Sequence, residues 1–169
     1  MRLVMLLGLA AVVVEGGASA EEGRIAFPAE YRSAFTNYLS LDRVQEEGQA
    51  IRLFANAAAM GGMDENGKFP NGSVLVGEVY TAKRDEAGLV IESELGRRIR
   101  DKLVLIAVME KQAGWGAGFA EEHKNGDWDF AAFKPDGSVA AGKDLNACRA
   151  CHAPLFDADH VFSYEHLGD

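Results

Sequence analysis

Apolar and polar positions along the chain fall into blocks of different period. Residues 27–41, "FPAEYRSAFTNYLSL", bring Tyr31, Phe35 and Tyr38 to helical spacing, with a strand as the competing reading. Ile51 to Phe54 forms a short strand-like run that passes into an Ala-rich, helical piece closed by Gly61 and Gly62. The middle is patterned more strongly. A Pro-Asn-Gly turn at residues 70–72 leads into Val74, Val76 and Tyr80, whose β-branched and aromatic side chains predict a strand over 73–82. Residues 101–112, "DKLVLIAVMEKQ", predict a central strand, and 128–133 predict another that ends in the Pro-Asp-Gly turn at 135–137. Helical character returns after Lys143, and "DADHVFSYEHL" offers an Asp cap followed by a short helix. Strands joined by turns, with helical pieces at both ends, predict the α+β class: a mainly antiparallel β-sheet with flanking helices.

The first residues do not fit this pattern. Arg2, the apolar run Leu3 to Val14 and the small residues Ala18-Ser19-Ala20 read as a signal peptide over residues 1–20, which leaves a single domain over 21–169. The run is shorter than the roughly 20 apolar residues a membrane span needs, and no later stretch approaches that length. The expectation is an exported, periplasmic protein with no membrane anchor in the mature chain. A formal charge of -9 repels phosphate backbones, which argues against a nucleic-acid partner.

Chemistry enters at "ACRACH", residues 147–152, which holds the chain's 2 cysteines. Cys148 and Cys151, two residues apart and followed at once by His152, suit covalent attachment of haem c. The thiols add to the porphyrin vinyl groups, and the histidine reaches the iron from the same local turn. Two other uses of the pair compete. A redox disulfide more often sits at the start of a helix between strands, and zinc would need two more ligands from His123, His160 or His166, none at finger spacing. Export leads to the compartment where haem c is attached, so the expected cofactor is one haem c, with Cys148 and Cys151 as thioether ligands and His152 as the metal ligand. An electron carrier usually adds a sixth ligand, often Met. Met60, Met63 and Met109 each have packing explanations, and His123, His160 and His166 read as surface or satisfied polar residues, so five-coordinate iron is expected.

A wider resemblance runs through "FPAEYR", "IRLFAN", "FPNGSVLVGEVY", "LVLIAVMEK", "NGDWDFAAFKPDG" and "ACRACH" followed by "DHVF". In this order the motifs resemble the cytochrome P-460 family, which includes the β-sheet cytochromes c'-beta, over nearly the whole mature chain. The resemblance implies a mainly antiparallel β fold, often a homodimer, around one five-coordinate haem with an open distal face. Hydroxylamine-oxidising members cross-link a lysine to the porphyrin, and that position falls at Gly77, which has no side chain to link. Lys83, the nearest lysine along the strand, is placed on the face opposite Gly77 and read as a solvated charge. The cytochrome c'-beta type is therefore the closer match, and its resemblance implies a gas-binding protein for NO and CO with an aromatic cap. Phe54 and Phe69 are the candidates for that cap, with ordinary core packing as the competing role. Arg52, expected to point opposite Phe54, is available to a haem propionate or to solvent. Trp115 and Trp128 suit core or dimer packing, and Glu78, Glu121 and Glu122 have no visible partner. Two alternatives stay open: an oxidoreductase acting on hydroxylamine or peroxide, and an electron carrier with a redox partner protein.

Overall fold

The computed structural model describes residues 23–168, so the expected signal peptide lies outside the described residues. Five strands, β1 (Thr36–Asp42), β2 (Gln49–Ala55), β3 (Val74–Ala82), β4 (Arg100–Lys111) and β5 (Trp128–Phe133), form one sheet in the order β1-β2-β3-β4-β5. Every neighbouring pair is antiparallel, so the sheet is a meander. Three short helices accompany it: α1 (Tyr31–Ala34), α2 (Ala57–Met60) and α3 (Leu145–His152). The predicted class, mainly antiparallel β with flanking helices and a helix near the C-terminus, is the one observed.

Two local expectations need correction. The helical spacing over 27–41 survives for one turn only: Phe35 turns extended, and Tyr38 lies in β1, paired to β2. A helix of a few turns is marginal by itself, and here ladder bonds to β2 satisfy the same backbone groups. The helix expected in "DADHVFSYEHL" is replaced by two 3-10 turns, Phe156–Ala158 and Tyr164–His166. Asp159 and His160 between them are both left-handed, with φ of 45° and 66°, which ends any right-handed helix.

Strand alternation gives the sheet two apolar faces. On one, Phe54, Val76, Ile106, Val108 and Phe133 pack with Ile25 and Tyr31 of the N-terminal segment. On the other, Ala55, Leu75, Met109, Trp128 and Phe130 are covered by Ala59 of α2, Phe69, and Val161 and Leu167 of the C-terminal segment. That second cover is partial. The next row, Leu39–Leu53–Gly77–Ala107–Ala132, is continuous through the register, and Leu39, Leu53 and Ala107 are only half-buried. The row beyond it, Leu41–Ile51–Val79–Leu105, is equally apolar. A Cβ on Gly77 would lie 3.1 Å from Ile51 Cδ1 and 3.5 Å from Leu53 Cδ2, so these side chains close over the glycine. Among the described residues no helix is long and apolar enough to cross a membrane.

Candidate haem-attachment site

Helix α3 begins at Asp144, whose carboxylate accepts from Asn146 N at 2.9 Å and Ala147 N at 3.3 Å. Such a cap is worth about 1 kcal/mol. The 3.6-residue period then sets Cys148, Cys151 and His152 at positions i, i+3 and i+4, on one side of the helix. Cys148 is half-buried against the core that contains Phe130, Cys151 is exposed, and both thiols are free. Burial pushes the Cys148 thiol up.

Arg149, inside the motif, turns the other way and fastens α3 to the sheet. Its Nη2 and Nε lie 2.6 and 3.1 Å from Asp129 Oδ1 in β5, and its guanidinium stacks 4.3 Å over Phe119. Arg24 Nε takes the other oxygen of Asp129 at 2.6 Å. The buried Asn125 amide donates to Arg149 O at 3.1 Å, which ties the "NGD" turn to α3. Gly116 is required beside this turn, because a Cβ there would sit 1.8 Å from Gly126 O.

His152 is held on three sides. Its Nδ1 is 2.8 Å from His160 O and therefore donates, which leaves the lone pair on Nε2. Phe130 and Phe162 flank the ring, each with centroids 4.9 Å away. Burial pushes its pKa down and favours the neutral imidazole that a metal binds. Two thiols and an oriented imidazole on one helix face, beside a half-open apolar sheet face, fit a covalently attached porphyrin. Cys148, Cys151 and His152 would hold it, and the apolar rows would meet its ring. Among the described residues no three His, Cys, Asp or Glu side chains converge to hold a metal ion.

The other candidates are dispersed. Phe54 is 3% exposed on the face opposite Phe130, across the sheet from His152. Arg52 is not opposite Phe54: residues two apart share a face, and its guanidinium stacks 5.0 Å over the Phe54 ring and reaches Glu78 Oε2 at 3.4 Å. Phe69 belongs to the core against which Cys148 packs, edge-on to Trp128 at 5.9 Å. Trp128 is fully buried there, and Trp115 packs against the other core. Met60 and Met63 pack against the same core as Cys148, while Met109 is buried within it. Lys83 is exposed beyond the end of β3, roughly 20 Å along the chain from Gly77. Six residues is an even interval, so an unbroken strand would return Lys83 to the face of Gly77; what separates them is the strand's end and its register shifts at Tyr80 and Ala82.

Glu78, which the sequence leaves without a visible partner, has four. Tyr31 OH at 2.7 Å and Arg32 Nε at 2.6 Å reach Oε1, and Tyr80 OH at 2.8 Å reaches Oε2 beside Arg52. Glu121 pairs with Lys124 at 2.6 Å. Asp129, Arg149 and Asp159 were also missed. The one signal available was a charged residue in each case standing inside an apolar or motif segment.

No curated protein matches this chain. The sequence model of the cytochrome P460 family matches residues 28–163, a span that takes in all five strands and α3, and the chain belongs to the cytochrome P460 family.

Proposed function

We propose that residues 21–169 form an exported, periplasmic, mono-haem c protein of the cytochrome c'-beta type, a homodimer whose five-coordinate iron binds NO and CO for scavenging or detoxification. Haem c is what the family suggests, and the CxxC spacing of Cys148 and Cys151 is consistent with it. The observation that carries the gas-binding reading is the row through Gly77. No lysine stands at that position, Ile51 and Leu53 close over it, and the row from Leu39 to Ala132 offers no side-chain hydrogen-bond donor. An apolar surround of this kind favours neutral diatomics and gives polarised O2 nothing to bind to. The haem would supply the open iron position. His152 would hold the iron through Nε2, and the aliphatic rows would exclude water.

Optical spectroscopy with intact mass tests this. The expected result is a high-spin five-coordinate spectrum, a mass of one haem per chain with two thioether links, and NO and CO adducts. A red-shifted Soret band with a third, lysine attachment would instead support the hydroxylamine-oxidising reading. The electron-carrier alternative is favoured by one observation, the packing of Met60 and Met63 on the core that Cys148 shares. A low-spin spectrum that Met60→Ala or Met63→Ala turns high-spin would establish it and overturn the proposal.

A further inference from the structure

The carbonyl that orients His152 belongs to an unusual piece of backbone. Asp159 and His160 are the only non-glycine residues with positive φ among the described residues, and they are adjacent. Two consecutive left-handed residues persist only where surrounding contacts over-determine them. The contacts here converge on one side chain. Asp159 is 1% exposed, and its Oδ2 accepts from Lys111 Nζ at 2.6 Å, Phe69 N at 3.0 Å and Trp128 Nε1 at 3.3 Å. Lys68 Nζ lies 3.1 Å from Oδ1. Lys111 ends β4 and Trp128 opens β5, so the carboxylate is anchored to β4 and to β5, the strand that packs on α3. His160 N donates to Leu155 O at 2.8 Å, which fixes the next peptide, and His160 Nδ1 sits 3.3 Å from His152 O.

We propose that Asp159 is a positioning residue for the iron ligand: its carboxylate, pinned by Lys111 and Trp128, holds the left-handed turn that aims His160 O at His152 Nδ1. That hydrogen bond sets which nitrogen carries the lone pair, how the ring is rotated and how strongly it donates to a metal. A sheet-anchored carboxylate therefore acts on the iron site through backbone, with no atom of its own on the ligand. The inference rests on His152 being the iron ligand, as in the proposed function.

The test is the iron–imidazole stretch of the ferrous, haem-loaded protein by resonance Raman, read with the reduction potential. In Asp159→Asn the band shifts to lower frequency and broadens, because the carbonyl no longer holds one ring orientation, and the potential rises as the imidazole donates less. Trp128→Phe, which removes one uncharged donor to Asp159, shifts the band the same way by less, and it serves where Asp159→Asn does not accumulate. His160→Asn keeps the carbonyl and tolerates the left-handed backbone, so it leaves the band in place. The proposal is overturned if Asp159→Asn and Trp128→Phe both load haem with the band unmoved, or if His160→Asn shifts it as far as Asp159→Asn does. A high-spin five-coordinate ferrous spectrum with no iron–imidazole stretch in the unsubstituted protein would refute the ligand reading instead.

Discussion

Phe54 of β2 and Phe130 of β5 lie on opposite faces of the sheet, and that separation assigns them different work. Phe54 is a core residue of the face that Tyr31 covers, with ring centroids 5.2 Å apart. Phe130 touches the His152 ring from the opposite face. Phe54→Ala should therefore cost about 3–5 kcal/mol of stability by opening a cavity and leave NO and CO association rates at the unsubstituted value. Phe130→Ala should perturb the iron spectrum as well as stability. Denaturant melts and flash photolysis on both variants check this, and a Phe54→Ala protein with faster ligand association would return Phe54 to the distal wall. The parity error over Arg52 has the same root. Residues two apart share a side, so Arg52 stacks on Phe54 and joins Tyr31, Tyr80 and Arg32 around Glu78.

At the scale of elements, strands with an unbroken apolar or β-branched run were legible, as β3, β4 and β5 show. β1 was hidden because Tyr31, Phe35 and Tyr38 satisfy a helical period by chance while β2 supplies the ladder. The helix that carries Cys148, Cys151 and His152 was legible because the motif is local in sequence. Its fastening was not, because the partners of Arg149 and Asp159 lie 20 and 48 residues away in sequence, at Asp129 and Lys111, and pairing over such intervals has no period. Helix α3 is only 8 residues long and depends on that fastening. Arg149→Ala leaves Asp129 with Arg24 as its remaining ion-pair partner, so we expect a loss of about 3 kcal/mol and a lower yield of haem-loaded chain. Arg149→Lys should restore charge without the two-nitrogen contact and recover part of both. An Arg149→Ala protein that loads haem fully and melts like the original would show that α3 docks by other means.

Over the whole molecule, the buried charge of Glu78 gives stability a dependence on acid. Burial pushes its carboxyl up, but hydrogen bonds from Tyr31, Tyr80 and Arg32 together with the Arg32 charge pull it below the ordinary value. A carboxylate lowered on folding stabilises the fold above the unfolded value of about 4.3, and this contribution fades as pH falls through the folded value. Glu78→Gln should cost about 2–3 kcal/mol near neutral pH, and the gap between variant and original should narrow as pH falls below about 4. Urea melts at pH 7 and pH 3 measure it, and a gap of equal size at both would exclude linkage through Glu78. The meander also carries a timetable. Each strand pairs with the one just before it in the chain, so the sheet can assemble in chain order from its N-terminal end. Ala59 and Phe69 of the cover over Leu75, Met109 and Phe130 precede β3, but Val161 and Leu167 come after every strand, and so do Cys148 and Cys151. A growing chain can thus finish its sheet while the last part of the apolar cover is still missing, and that face is open to aggregation until Val161 and Leu167 close it.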